Sequence, residues 1–283
     1  MKTPFTCNGL DKIGIPFVPF VVNAFLDLGR SASAITTKDT KVHEGKQINM
    51  RNASPTQASA FIDSVIRLKS RLAVFDCDGT LWSGDAGEGF FDWELKRGVV
   101  SDEIVRWARA RYVDYRAGKV SEDEMCGEMV TLHQGLKETD VLSLGRQFFE
   151  EKFVHRIFPE MRELIARLQA MGTDVWAVSS TNQWVIREAM AHVGIAPEKI
   201  LAASVEVHNG VISGKLTRVP SGPGKPKAIL EVMKQVPDVA FGNSRWDADM
   251  LALAKNAFAV NPNPDLEKLA QEKGWTIYWP TTS

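Results

Sequence analysis

Short apolar runs alternate with stretches of helical spacing from residue 57 to the end of the chain, and the alternation is interrupted once. RLAVFD (71–76), VWAVSS (175–180), DVAFGNS (238–244), AFAVN (257–261) and WTIYWP (275–280) are the apolar runs. ASAFIDSVIRLKS (58–70), PEMRELIARLQAMG (159–172), NQWVIREAMAHVG (182–194), KPKAILEVMKQVP (225–237) and DLEKLAQEKG (265–274) are the helical stretches. Runs this short and apolar are strands buried on both faces, and helices of this length between them are crossovers, so the chain must build a parallel sheet from βαβ units. ILAASVEVHNGVISGKLT (200–217) adds a hairpin, turning at Asn209-Gly210.

The interruption falls after the first strand. From 84 to 158 there is no strand pattern, only helical stretches: EGFFDWELKRG, SDEIVRWARARYVDYRAG, SEDEMCGEMVTLHQG and ETDVLSLGRQFFEEKF. Ser101 and Ser121 stand as N-caps with acids in the next turn, and Gly98 and Gly118 close two of the helices. The expected fold is therefore an α/β, doubly wound parallel sheet formed by residues 57–83 and 159–283, with a helical cap at 84–158. Residues 1–56 read as a flexible leader, Ser/Thr/Ala-rich over 31–60 and without periodicity, in which Met50 is a second potential start.

Composition narrows the partners. With Lys+Arg 34 against Asp+Glu 35, the formal net charge is −1, which gives no global attraction to nucleic acid or to an anionic membrane. No apolar stretch reaches the roughly 20 residues of a spanning helix. IGIPFVPFVVNAFLDL (13–28) comes nearest and is broken by two prolines and an asparagine. It leaves export through an N-terminal signal as the alternative to a cytoplasmic location. Cys7, Cys77 and Cys126 are sparse and in no metal-ligand spacing, which suits a reducing compartment. A small-molecule partner is expected; the oligomeric state is not legible.

In open α/β sheets ligands bind beyond the carboxyl ends of the strands. There this chain places Asp76, Asp78 and Thr80, then Ser179 and Ser180, then Gly242-Asn243-Ser244 with Asp247 and Asp249, while Lys225 opens a helix between them. Carboxylates, hydroxyls and a lysine converging from separate strands are the inventory of phosphoryl transfer. An anionic nucleophile reaches a phosphate only where a cation relieves the repulsion. GPGK (222–225) is not a nucleotide-binding P-loop, because Pro226 follows the lysine and position 219 is valine.

These residues resemble the haloacid dehalogenase-like phosphatases. That family's Asp-x-Asp-x-Thr motif appears as Asp76-Cys77-Asp78-Gly79-Thr80, its strand-end hydroxyl as Ser179, its lysine as Lys225, and its Gly-Asp-Ser-x-x-Asp-x-x-Met-Leu as GNSRWDADML at 242–251. The helical insert and the hairpin are most similar to the phosphoserine phosphatase branch. The resemblance implies a Mg2+-dependent phosphomonoesterase acting on a small phosphorylated metabolite, a phosphoserine or amino-alcohol phosphate. Asp76 is then the nucleophile, Asp78 the general acid and base with a raised pKa, and Thr80 a residue that shapes the loop. Ser179 and Lys225 are the phosphate-binding groups, with Ser180 a neighbouring substrate contact. Asp76, the Asp78 main chain, Asn243 and Asp247 are the Mg2+ ligands. Asn243 departs from the pattern, which has aspartate there; an amide brings an oxygen but no charge, so Asp247 and Asp249 must carry more of the site. The second aspartate, absent from dehalogenases proper, favours a phosphatase; a phosphotransferase or mutase, or a weakly catalytic ligand-binding homologue, is the alternative.

Asp85 and Glu88 lie where that branch places a substrate-sensing acid and would favour a cationic group. Trp82, Trp93, Trp107 and Tyr112 either pack between core and cap or line a pocket through cation–π contact. Arg97, Arg106, Arg109 and Arg111 read as solvated helix faces or as a carboxylate site. His133, His155, His192 and His208 read as surface or structural.

Overall fold

A computed structural model describes residues 55–281. They belong to one compact unit, Ile48–Ser283. The expected leader, its possible signal, Met50 and Cys7 lie outside the described residues, except that the first helix, α1, begins at Pro55 and runs to Ile66, just inside the stretch expected to be leader.

Seven strands form one sheet: β1 (Leu72–Phe75), β2 (Asp174–Asn182), β3 (Ile200–His208), β4 (Val211–Arg218), β5 (Val239–Gly242), β6 (Asn256–Val260) and β7 (Thr276–Tyr278), in the spatial order β4-β3-β2-β1-β5-β6-β7. Every pairing is parallel except β3 with β4, the hairpin that turns at Asn209 and Gly210 with φ of 51° and 77°. The chain leaves β1 for β2 on one side and returns to β5 on the other. The strand order therefore reverses between β1 and β5, where doubly wound sheets bind ligands.

β1 shows why the sheet is central. All four of its residues are buried. Successive side chains point to opposite faces of the sheet, and each pair finds its own core. Ala73 and Phe75 join Phe61 and Ile62 of α1, Leu164 and Ile165 of α6 (Pro159–Ala170), and Ile186 and Met190 of α7 (Gln183–Ala191). Leu72 and Val74 face Ala228 and Ile229 of α8 (Gly224–Met233), Met250 and Leu251 of α9 (Ala248–Leu253), and Leu266 and Ala270 of α10 (Pro264–Lys273). Phe75 stacks on Phe241 of β5 with ring centroids 4.2 Å apart, locking the two strands that carry the site side by side.

Between β1 and β2 the chain forms α2 (Ala86–Leu95), α3 (Asp102–Arg116), α4 (Glu122–Thr131) and α5 (Glu138–Lys152). Ser101 caps α3 and Ser121 closes a capping box with Glu124, as their spacing predicts. The insert packs in two ways. Phe90 and Trp93 of α2 and Phe148 and Phe149 of α5 extend the main core, whereas Phe91, Leu95, Ala108 and Met125 form a separate small cluster between α2, α3 and α4. His133, fully buried, bridges the layers: one ring nitrogen contacts the Val130 carbonyl and the other lies 2.7 Å from the equally buried Glu94 carboxylate. His133 is thus structural, and His208 is exposed. No helix among the described residues is long and apolar enough to cross a membrane.

Candidate active site

The carboxyl edge of β1 and β5 is organised around one buried lysine. Asp76 follows β1 directly, and its N–H donates to the Phe241 carbonyl of β5 at 2.9 Å, which fixes its height at the sheet edge. Its Oδ2 accepts the Thr80 hydroxyl at 2.7 Å, and its Oδ1 accepts the Lys225 ammonium at 2.7 Å. Lys225 also donates to Asp247 Oδ1 at 2.6 Å and to the Val178 carbonyl at 3.1 Å, so groups from β1, β2 and the turn after β5 hold it at once. The other Asp247 oxygen accepts the N–H groups of Asn243 and Ser244 and the Ser244 hydroxyl, at 3.0, 2.9 and 3.1 Å. Asp76, Lys225 and Asp247 are 6, 1 and 1% exposed.

Two carboxylates share one ammonium there, so the trio carries net negative charge in a dry setting. Burial, and then the Asp247 charge, push the Asp76 carboxyl up to about 6 against the pull of Lys225 and Thr80. Burial alone would lower Lys225, but Asp247 and Asp76 outweigh it and hold the ammonium charged, well above its ordinary value.

Asp78 lives differently, two residues on. The Trp82 indole N–H donates to its Oδ1 at 2.8 Å, the Ala86 N–H to the same oxygen, and the Thr181 hydroxyl to Oδ2 at 2.7 Å. Burial and the Asp85 charge nevertheless raise it to about 8. Two carboxyl groups one residue apart in sequence are thereby driven toward different protonation states, the pattern that separates a nucleophile from an acid.

Asp76, Asp78, Lys225, Asn243 and Asp247 line one cavity of about 490 Å3, with Asp85, Ser180 and Thr181 on its wall. The donor set suits a hard divalent cation. Asp76 and Asp247 bring carboxylates and Asn243 an amide to the cavity wall, the oxygen chemistry such an ion prefers; like-charge crowding at Asp76 is what an added cation relieves. Two glycines make room for this set. A Cβ on Gly79, whose φ is +74°, would sit 1.8 Å from the Asn243 amide nitrogen, and one on Gly242 would sit 2.5 Å from Asp247 Cβ. Gly79→Ala is therefore expected to displace Asn243 and to add about 1–2 kcal/mol of backbone strain. Activity should fall by about tenfold or more, while the denaturation midpoint drops only modestly; steady-state kinetics and a urea titration check both.

Most of the expected residues meet at this cavity. Lys225 is the buried lysine, whereas Lys227, two residues on, is exposed. Two expectations differ. Ser179 is 1% exposed with its Oγ accepting the Thr181 N–H at 3.1 Å; β2 continues past it to Asn182, so the cavity wall is made by Ser180 and Thr181. Asp249 is exposed on α9 and lines no part of the cavity. Asp85 does double duty: it N-caps α2, accepting the Glu88 N–H at 2.8 Å, while facing the cavity. Glu88 lies farther out, with Tyr112, in an adjoining chamber. Trp82 is buried core with a polar task at Asp78, Trp93 is buried under the Arg97 guanidinium, and Trp107 is 45% exposed. Arg111 is paired with Glu128. The arginine that does reach the cavity is Arg116, together with Tyr115 and Glu122; nothing in their spacing singles them out, because the turn between α3 and α4 brings them there.

The family model described as haloacid dehalogenase-like hydrolase matches residues 73–252. Among curated proteins, a histidinol-phosphatase of Neisseria meningitidis is 26% identical over 73% of this chain and 97% of its own length. The phosphoserine phosphatase SerB1 of Mycobacterium tuberculosis is 25% identical over 72% of this chain and 69% of its own length. Among solved structures, a probable phosphoserine phosphatase from Vibrio cholerae superposes with a TM-score of 0.57 at 18% identity, covering 76% of this chain and 62% of the other, a likeness of fold.

Proposed function

This chain belongs to the haloacid dehalogenase-like hydrolases, and from that premise we propose that it is a Mg2+-dependent phosphomonoesterase that cleaves a small phosphorylated metabolite through an aspartyl-phosphate. One observation carries the reading: Asp76 is held 2.7 Å from Lys225 at the sheet edge, with Asp78, whose carboxyl burial and the Asp85 charge raise to about 8, on the wall of the same cavity.

In the first step an Asp76 carboxylate oxygen attacks phosphorus while the bond to the ester oxygen breaks, and Asp78 delivers its proton to the leaving alkoxide. In the second, Asp78 takes a proton from water, the water oxygen attacks the same phosphorus, and the acyl phosphate bond breaks, returning Asp76 and releasing inorganic phosphate. Thr80 and Lys225 hold the nucleophile in one orientation. Lys225 also offsets charge on the incoming phosphate, and the Ser180 hydroxyl, which lines the cavity, would donate to it, with Ser179 supporting the strand end behind. Asp76, the Asp78 carbonyl, Asn243 and Asp247 are the residues that would hold Mg2+, which when bound neutralises the charge shared by carboxylate and phosphate. The free Cys77 and Cys126 suit a reducing, cytoplasmic setting.

Purified protein is expected to release phosphate from p-nitrophenyl phosphate in the presence of Mg2+. Chelation should lower the rate by about 100-fold or more, reversed by adding Mg2+ back. Absence of turnover with Mg2+ present contradicts the reading.

A further inference from the structure

Beside the catalytic cavity, and continuous with it through Asp85, Tyr115, Arg116, Glu122, Ser180 and Thr181, lies a chamber of about 110 Å3. It opens between the start of α2, the end of α3 and the start of α4. Its charged side chains are Asp85, Glu88 and Glu122 against the single guanidinium of Arg116. Arg116 and Glu122 both also line a wide, open mouth of about 560 Å3; Arg116 is exposed there and water screens its charge, whereas Glu122 is only partly exposed. Glu122 is half-buried, anchored by the Tyr115 hydroxyl and approached by the Cys126 thiol at 3.7 Å. Tyr112 and Tyr115 stand together with ring centroids 5.8 Å apart and planes tilted by 46°, and Met125 and Met129 line the apolar side. Carboxylates with aromatic faces in a confined space attract an organic cation. The same acids repel any carboxylate that enters with it.

We propose that this chamber is the leaving-group pocket, that it takes the phosphate monoester of an amino alcohol carrying no carboxylate, and that Glu122 is a specificity-determining residue. The proposal rests on the phosphatase reading and names its substrate class. Glu122 accepts the ammonium of the substrate's alcohol, Tyr115 keeps that carboxylate aimed inward, and Glu88 adds to the field from across the chamber.

Phosphoethanolamine and O-phosphoserine differ by one carboxylate, so they form the probe pair. With the full chain and Mg2+, kcat/KM for phosphoethanolamine is expected to exceed that for O-phosphoserine by about tenfold or more. Glu122→Gln should cut that ratio by about tenfold, chiefly through a higher KM for the amine. Glu88→Gln, on the exposed side of the chamber, should move the ratio in the same direction by a smaller factor and serves if the first variant does not fold. Equal or better turnover of O-phosphoserine by the wild type, or a ratio unmoved by either substitution, overturns the proposal. A wild type that also fails on p-nitrophenyl phosphate overturns the phosphatase reading instead, so the two failures are distinct.

Discussion

Asp76→Asn is expected to lower kcat on p-nitrophenyl phosphate by about four orders of magnitude or more, because the amide cannot supply the attacking oxygen. The same change should leave the protein folded with a urea midpoint no lower than that of the wild type. An amide oxygen still accepts from Lys225, and the amide nitrogen can donate to the Thr80 hydroxyl. The substitution also removes one of two carboxylates crowded round one ammonium, where burial and Asp247 already push Asp76 up to about 6. Loss of activity without loss of stability separates a nucleophile from a structural aspartate, since sites arranged for chemistry are often arranged at the expense of stability.

Lys225→Met should fail in both respects. The lysine side chain is 2% exposed and sits 2.7 and 2.6 Å from two carboxylates that are 9 and 1% exposed. Taking away the ammonium leaves both charges buried and facing one another. Breaking a buried ion pair from one side costs about 3–5 kcal/mol, so the urea midpoint should fall sharply, and turnover should be lost with the group that aligns Asp76. The damage is electrostatic rather than a matter of volume, so the double variant Asp76→Asn with Lys225→Met should recover part of the lost stability. Additivity of the two changes within about 0.5 kcal/mol would contradict the coupling.

The parts of the molecule that could be read from sequence are those where one local rule decides the outcome. β1 is a fully buried run ending in a glycine turn, and Ser121 followed by Glu124 at N3 is a capping box; neither depends on distant residues. Asp76, Asp78, Lys225, Asn243 and Asp247 were legible because each stands at a strand end or helix start that a doubly wound sheet must bring to one edge. What was hidden depends on where elements stop and which faces meet. Three hydroxyls follow one another at 179–181; Ser179 is buried with its Oγ taken by the Thr181 N–H, while Ser180 and Thr181, beyond it at the end of β2, line the cavity. Trp82 reads as an aromatic for packing, and it does pack, but its indole N–H is one of the donors that hold Asp78. His133 reads as surface or structural, and its partner is what the sequence leaves out: α2 and the turn after α4 bury it against Glu94. Tyr115, Arg116 and Glu122 reach the chamber only because the turn between α3 and α4 folds back over the sheet edge, a long-range contact that no periodicity reports.

Covalent catalysis at Asp76 is the central step. Rapid acid quenching during turnover of p-nitrophenyl phosphate, followed by peptide mapping in the mass spectrometer, tests it most directly. The predicted result is a phosphoryl adduct confined to the peptide that carries Asp76, formed by the wild type and missing from Asp76→Asn. Steady phosphate release with no adduct on that peptide, or an adduct on another residue, would contradict it.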